Sequence, residues 1–154
     1  MAPRSLTLAA LVLATALAGC AHEKMASTGY QWAYLGDDAA EPRLAYGRAN
    51  SDDVVLMIRC HPGGDAVNFS AAGLTDARLV LASGRTESRF EGVMVHDPMS
   101  GGLLEARGKA SAPALAAFRR SGDLAVLTRG ERHSLAATAG DRRHVKAFFK
   151  ACRV

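Results

Sequence analysis

Hydrophobic and polar residues alternate over short stretches along most of the chain, and turn-forming residues separate these stretches. The clearest stretch is residues 53–60, where Val54, Leu56, Ile58 and Cys60 fall on one face of an extended strand. β-Branched residues are concentrated there, as is typical of strands. A run of turn-forming residues follows directly, which predicts that the chain reverses after this strand.

Further short strands are predicted at a spacing of roughly ten residues, which is typical of antiparallel sandwiches and barrels. The predicted strands are residues 30–34, 43–46, 66–71, 77–82, 88–95, 103–109, 123–128 and 132–138. Most neighbouring pairs are joined by short turns, so we expect hairpins and an antiparallel sheet.

Two segments have helical rather than strand periodicity. Residues 111–120 begin with Ser111, have an early proline and end before Gly122, as helices commonly do. In the last segment Asp141 is the predicted N-cap. Its apolar residues recur at helical spacing and predict one buried stripe, whereas basic residues cover the opposite face. The stripe is Val145, Phe148, Phe149 and Cys152; the basic residues are Arg142, Arg143, Lys146 and Lys150.

These patterns predict the fold class. We expect a mainly β (α+β) domain, built as an antiparallel β-sandwich or a barrel-like sheet with a C-terminal helix packed on it. The chain has 154 residues, of which 49% are apolar and 22% charged, and this composition fits one globular domain.

The N-terminal segment has the pattern of an export signal. Arg4 provides a positive start, residues 6–17 form a short apolar stretch, and small residues then precede Cys20. The sequence Leu-Ala-Gly-Cys at positions 17–20 resembles the lipobox of bacterial lipoprotein precursors. The resemblance implies that Cys20 is lipidated and becomes the first residue of the mature protein. The alternative is an ordinary secretory signal that is cleaved near Ala18, with Cys20 left free.

The expected organisation follows from this resemblance. Residues 1–19 are a lipoprotein signal peptide, residues 20–29 a small polar tether, and residues 30–154 a single domain. Ala21 follows the cysteine where enteric lipoproteins that remain in the inner membrane carry aspartate. The resemblance therefore implies a lipid-anchored protein of the outer membrane that faces the periplasm and has the membrane as its partner.

The two remaining cysteines are Cys60 and Cys152. An even pair in an exported domain predicts a disulfide, and the strand and helix periodicities place both sulfurs on buried faces. A catalytic thiol at Cys60 is the alternative, because His61 follows it, but adjacent strand residues point to opposite faces. The paired spacing of a zinc site is absent from the sequence.

Charge and motifs narrow the function classes. The formal net charge is +4, or +3 without Arg4, which is too small for a nucleic-acid interface, so no nucleic-acid partner is expected. The five histidines have no metal-ligand spacing, and serine-hydrolase and phosphate-loop motifs are absent from the sequence. We therefore assign no catalytic, metal or cofactor-binding residue and predict no cofactor.

The domain resembles small uncharacterised envelope lipoproteins of Gram-negative bacteria. That resemblance implies a non-enzymatic interaction or structural module, with an envelope protein as a partner. One alternative is an inhibitor of a cell-wall hydrolase, because periplasmic lysozyme-inhibitor lipoproteins also combine a lipobox, a β fold, a disulfide and a serine-glycine loop. Here that loop would be residues 83–87. The other alternative is an enzyme with an unrecognised site. The basic face of the last helix is interpreted as a solvated surface, with binding to anionic lipid headgroups as its alternative.

Overall fold

The structure is a computed structural model that describes residues 28–36, 41–95 and 102–153, together with the backbone of residues 23–24. The predicted signal peptide, the predicted lipidation site Cys20 and residues 96–101 lie outside the described residues. None of the helices in the described part is long and apolar enough to cross a membrane.

Ten strands and two helices make up the described part of the chain. The strands are β1 (Glu23–Lys24), β2 (Tyr30–Leu35), β3 (Arg43–Arg48), β4 (Val54–Cys60), β5 (Ala66–Ala72), β6 (Arg78–Ser83), β7 (Thr86–Val95), β8 (Leu103–Lys109), β9 (Ala125–Thr128) and β10 (Glu131–Ser134). The helices are α1 (Pro113–Ser121) and α2 (Arg142–Ala151).

All ten strands belong to one sheet in the order β1-β10-β9-β6-β7-β8-β5-β4-β3-β2. Nine of them pair antiparallel, and only the two-residue β1 is parallel, beside β10. The predicted mainly β fold with a C-terminal helix is confirmed. Of the two architectures expected, the barrel-like one is present, since the sheet curls into a half-barrel instead of forming a two-sheet sandwich.

The long strand β7 joins the two halves of the curled sheet. Its first residues pair with β6 up to the Arg78–Glu91 pair, and from Gly92 onward it pairs with β8. A Cβ atom at Gly92 would lie 2.4 Å from the carbonyl oxygen of Glu105, so only glycine allows this close approach. The first part of β7 thus pairs with β6 and the last part with β8, and the sheet bends between the two parts.

A single hydrophobic core lies on the inner face of the sheet, and both helices pack against it. On β4 the residues Leu56, Ile58 and Cys60 are fully buried, as the period-two pattern predicts. Helix α1 packs on β6 and β7, whereas α2 packs on β2 and β3. Phe118 and Phe149 meet edge to face between the helices, with ring centroids 6.3 Å apart.

The start of α2 differs from the prediction. Asp141 precedes the first helical residue, as predicted, but its backbone angles are helical and its side chain makes no cap hydrogen bond to the helix. Instead the Thr138 hydroxyl accepts the Asp141 N–H at 3.3 Å, and the Asp141 carboxylate accepts the Thr138 N–H at 3.0 Å. This reciprocal pair has the pattern of a capping box, in the turn that leads into α2.

Two further boundaries differ. Ser111 does not cap α1, because Ala112 occupies the N-cap position and Ser111 bonds to Asp65 instead. The strand predicted over residues 132–138 ends at Ser134. Beyond it, the N–H groups of Leu135 and Ala137 still donate to the carbonyl oxygens of Leu124 and Gly122. The chain leaves the sheet there and enters the turn that caps α2.

The segment predicted as a free tether contributes to the sheet. Glu23 pairs with Arg132 and Lys24 with His133 along β10. Strand pairing is therefore present seven positions before Tyr30, the first residue of the predicted domain.

Candidate functional site

A disulfide links the last residue of β4 to the end of α2. Cys60 and Cys152 have Cα atoms 5.9 Å apart, and both residues are almost completely buried. This confirms the predicted pairing and rejects a free catalytic thiol at Cys60. The bridge connects a strand inside the sheet to the C-terminal helix, across 92 positions of sequence.

The histidines of the described part lie apart from one another. His61 contacts Glu41 at 3.4 Å and His133 contacts Glu131 at 3.5 Å, while His144 accepts a hydrogen bond from the side chain of its neighbour Arg143. In the described ranges, no group of three or more histidine, cysteine or acidic side chains is placed to hold a metal ion.

The serine-glycine segment at residues 83–87 is a tight hairpin turn. Ser83 pairs with Thr86 across only two turn residues, and Ser83 is 4% exposed, with its hydroxyl 3.3 Å from that of Ser121. The Gly84 N–H donates to the Asp123 carboxylate at 2.9 Å. The Ser83 side chain therefore points into the protein, whereas Gly84, Arg85 and Glu87 of the same segment are exposed.

The outer face of the sheet carries a row of basic side chains. Arg43 pairs across the strands with Arg59, Arg59 with Asn68, and Asn68 with Arg107. The Nε atoms of Arg43 and Arg59 are buried without a hydrogen-bond partner among the described residues. Arg59, Asn68 and Arg107 line a groove on this face. Glutamates at positions 41, 91 and 105 line the same groove, so the surface has mixed charge.

The most enclosed candidate site is a cavity between the two ends of the curled sheet. Its volume is about 340 Å³, within the range of small-molecule sites. One wall comes from β2 to β5 and the loop after β5, and the other from β9, β10 and the residue that follows. The lining residues are Tyr30, Tyr46, Val55, Ala71, Ala72, Gly73, Leu74, Val126, Thr128, His133, Ser134 and Leu135.

Trp32 holds the two walls together. Its indole N–H donates to the Leu135 carbonyl oxygen at 2.7 Å, although the two residues are 103 positions apart in the sequence. Its ring packs against Tyr46 at 5.2 Å and against Phe118 at 5.1 Å between centroids. This buried side chain therefore links β2 at one edge of the sheet to the chain leaving β10 near the other edge.

Two tyrosines supply the polar groups of the first wall. The Tyr30 hydroxyl donates to the Asp53 carboxylate, and Arg48 lies over the Tyr30 ring, 5.5 Å from its centroid. That hydrogen bond is the main cause that raises the pKa of Tyr30. Burial, followed by the nearby Asp141 charge, raises the pKa of Tyr46. Both phenols therefore stay protonated at neutral pH and remain hydrogen-bond donors.

Tyr46 differs from Tyr30 in having no partner for its hydroxyl. The residue is 2% exposed, and no described group lies within hydrogen-bonding distance of this oxygen. An unpaired buried hydroxyl costs about 1–3 kcal/mol. The Tyr46 hydroxyl is thus a buried donor without an acceptor among the described residues.

Sequence reasoning missed this site. It identified residues 30–34 and 43–46 as strands but gave no reason to connect them with residues 126–135. No local spacing links Tyr46 with Val126 and Leu135, since β3 and the β9–β10 hairpin lie far apart in the sequence. The only signal in the sequence is the concentration of aromatic residues at positions 30–34.

Comparison of the chain with protein-family models, with curated proteins and with solved structures finds no match. The site is therefore characterised by its own geometry: a cavity whose two walls are linked by the hydrogen bond from Trp32 to Leu135.

Proposed function

We propose that the protein is a non-enzymatic binding module of the outer membrane, anchored through lipid on Cys20 and facing the periplasm. The observation that carries this proposal is the Cys60–Cys152 disulfide. Such bridges form and persist in oxidising compartments and are rare in the cytosol. Together with the Leu-Ala-Gly-Cys motif before the domain, the bridge favours an exported lipoprotein.

A binding role is favoured by the cavity beside Trp32. Its walls combine apolar side chains with polar ones such as Thr128, His133 and Ser134, while the largest side chains of the inner face close a core. His61 pairs with Glu41, and His133 pairs with Glu131.

The proposed anchor lies close to the sheet. Cys20 precedes Glu23 of β1 by three positions, so covalent geometry limits their Cα separation to about 11 Å. Because β1 runs parallel to β10, an acylated Cys20 would hold the β9–β10 end of the half-barrel near the bilayer surface. In this proposal the domain rests at the membrane and does not extend from it on a long tether.

The test is to express the chain with its own N-terminal segment in a Gram-negative host. Cys20→Ser should abolish incorporation of a labelled fatty acid and move the protein out of the membrane fraction, since the substitution removes the acylated thiol. The measurements are gel analysis of the labelled protein and immunoblotting of separated membranes.

Ala21→Asp is the matched control, because it changes the neighbouring residue and leaves the acylated thiol in place. It should keep the label, and in an enteric host it should move the protein from the outer to the inner membrane. Unchanged labelling or unchanged membrane association of the Cys20→Ser protein would refute the anchor.

A further inference from the structure

We propose that the basic face of α2 binds a carboxylate-bearing polymer on the side of the domain that faces away from the membrane, which in the periplasm is the peptidoglycan of the cell wall. This inference rests on the proposed outer-membrane anchor for the orientation of the domain, and it names a partner for the proposed binding module. The basic face consists of Arg142, Arg143, Lys146 and Lys150, and Arg153 extends it directly after the helix.

The net positive charge of the chain is concentrated in this C-terminal segment. Residues 142–154 carry five of the 19 basic residues and none of the 15 acidic ones. Residues 1–141 carry the other 14 basic residues and all 15 acidic ones, which leaves them with a formal net charge of −1. A surface that concentrates charge of one sign in this way attracts partners of the opposite charge.

The charges of the basic face are not neutralised by other described residues. All five basic residues are exposed, and none of the ion pairs in the described part of the chain includes any of them. Arg143 donates a hydrogen bond to its neighbour His144. Asp141, directly before the helix, is buried, and its carboxylate accepts the Thr138 N–H. The basic face is therefore open to an external anion.

The arrangement of these charges is unfavourable for the helix itself. Arg142 and Arg143 lie in the first turn, which contains no acidic residue, and the helix dipole disfavours cations there. Arg142, Lys146 and Lys150 are spaced four residues apart, so like charges follow one another along one row of the helix surface. Since neither feature stabilises the fold, the charges are attributed to a partner outside the protein.

Both ends of α2 lie at one end of the half-barrel. The disulfide holds the end of the helix at the last residue of β4. In the turn that follows β4, a Cβ atom at Gly63 would lie 3.6 Å from Cδ of Arg153. At the start of the helix, a Cβ atom at Gly122, shortly before β9, would lie 3.2 Å from Nε of Arg142. The helix thus lies near the end of β4 and the start of β9.

The proposed anchor is at the opposite end of the sheet. From β4 to β9 in the sheet order, all neighbouring strands are antiparallel, so the end of β4 and the start of β9 share one end of the half-barrel. Strand β9 runs from there to the β9–β10 turn, beside which β1 begins, three positions after Cys20. The length of the sheet therefore separates the basic face from the proposed anchor.

The turns at the anchor end carry charge of the other sign. The described turns there contain three acidic residues, Asp52, Asp53 and Asp76, and one basic residue, Arg129. Anionic lipid headgroups, the alternative partner of the basic face, would meet this acidic end of an anchored domain. The orientation therefore favours a partner on the far side of the domain over the bilayer.

The cell wall is the anionic structure that an outer-membrane protein meets on its periplasmic side. Its peptide stems carry free carboxylates, and arginine and lysine side chains form charge-assisted hydrogen bonds with carboxylates. The row of Arg142, Lys146 and Lys150 places charges about 6 Å apart along the helix. A polymer with repeated carboxylates can therefore contact several of these side chains at once.

The experiment measures cosedimentation of the purified protein with isolated peptidoglycan sacculi from a Gram-negative host. The protein is the full chain carrying Cys20→Ser with the disulfide intact, so loss of the lipid anchor and loss of cell-wall binding are separate results. Any contribution of the N-terminal segment is common to all variants. We expect binding at about 0.1 M salt and its loss at about 1 M, because the screening length falls from about 10 Å to about 3 Å.

The triple variant Arg142→Gln, Lys146→Gln, Lys150→Gln removes one row of charges from the basic face. We expect it to weaken binding at least about five-fold, the effect of three exposed ionic contacts. Its melting temperature should be unchanged or higher, because the substitutions remove like-charged neighbours and a cation in the first turn. A loss of binding at full stability separates a contact with the polymer from a structural role.

The triple variant Arg48→Gln, Arg78→Gln, Arg129→Gln is the matched control, because it removes the same net charge from exposed positions at the anchor end. It should change the dissociation constant less than about two-fold. Should a triple variant not fold, Lys146→Gln, Lys150→Gln and Arg78→Gln, Arg129→Gln give the same comparison with two charges.

Two changes of the partner test its chemistry. Sacculi whose carboxylates have been converted to amides with carbodiimide and glycinamide should bind at least about five-fold more weakly, because the opposite charge is gone. Vesicles of phosphatidylglycerol, compared at the same concentration of anionic groups, should bind no more tightly than native sacculi. No cosedimentation at about 0.1 M salt, equal affinity of the two triple variants, undiminished binding to amidated sacculi, or tighter binding to the vesicles would each overturn the proposal.

Discussion

At the scale of single residues, a few polar contacts fix segments that the hydrophobic pattern leaves undetermined. Asp65, before β5, accepts two hydrogen bonds from Ser111, one from the backbone N–H at 2.8 Å and one from the hydroxyl at 2.6 Å. The side-chain bond, followed by the backbone bond, lowers the pKa of Asp65 below its ordinary value of 3.8. One carboxylate thus joins the start of β5 to the approach to α1.

This contact predicts a dependence of stability on pH. Because the pKa of Asp65 is lower in the folded protein, its contribution is present above pH 3.8 and is lost as the pH falls through the folded-state pKa. Ser111→Ala removes the main cause of the shift, so the Asp65 pKa should rise towards 3.8. NMR titration of the side-chain carboxyl carbon measures this change.

Ser51→Ala is the control for this titration, since the Ser51 hydroxyl bonds within its own turn, to Arg48 and Asp53. It should leave the Asp65 titration unchanged. An Asp65 pKa that is the same in the wild-type and Ser111→Ala proteins would show that the contact does not form in solution.

At the scale of elements, the capping box of α2 matters most, because this helix carries Cys152 and three buried apolar residues. Sequence reasoning identified the apolar stripe and the N-cap position Asp141 but not the contact that Asp141 makes. Acidic residues are common both at the N-cap and at the third position of a capping box, so the residue type alone does not separate the two roles. The reciprocal hydrogen bonds with Thr138 show the second role.

The capping box predicts non-additive effects on stability. Thr138→Ala should lower the free energy of unfolding by about 1 kcal/mol, because it removes an acceptor from an N-terminal N–H of the helix. Asp141→Ala should also be destabilising. Since the two side chains act on each other's backbone N–H groups, the double variant should lose less than the sum of the single losses.

Urea denaturation of the four proteins measures this coupling. Losses that add within about 0.3 kcal/mol would contradict a reciprocal interaction. The Thr138→Ser variant, which keeps the hydroxyl, serves as the conservative control and should retain most of the wild-type stability.

At the scale of the whole molecule, the half-barrel is held by one covalent and several non-covalent links between distant segments. The Cys60–Cys152 bridge joins the middle of the sheet to the terminal helix, while Trp32 joins the sheet edge to Leu135. Helices α1 and α2 complete the core through the contact of Phe118 with Phe149. The two ends of the sheet are therefore positioned relative to each other by contacts that span most of the sequence.

Removal of the bridge should destabilise the whole domain. The chain-entropy model gives about 4.6 kcal/mol for a loop of 92 positions. The double variant Cys60→Ala, Cys152→Ala should lose about this amount from its free energy of unfolding, which urea denaturation measures. Alanine is chosen because both positions are buried and a polar replacement would add a separate cost.

Addition of a thiol reductant is the matched control for this pair. It should destabilise the wild-type protein by a similar amount and leave the double-alanine variant unchanged. A loss below about 1 kcal/mol in the double-alanine variant would mean that the denatured chain gains little freedom without the bridge.

The sequence by itself determined strands β2 to β10, the two helices and the disulfide. Alternation with period two identified the buried face of β4, and spacing of three and four residues identified that of α2, because these signals depend only on local geometry. Cys60 fell on the first of these buried faces and Cys152 on the second, which predicted the bridge between them.

Only the tertiary structure decided between a sandwich and a half-barrel, and only it formed the cavity. The sharing of β7 between β6 and β8 depends on the close approach at Gly92, which the local pattern of that strand does not encode. The cavity brings Tyr46 of β3 together with Val126 and Leu135 of the β9–β10 hairpin, which lies far from β3 in the sequence. Periodicity reports which face of an element is buried, whereas the partner of that face depends on how the whole sheet curls.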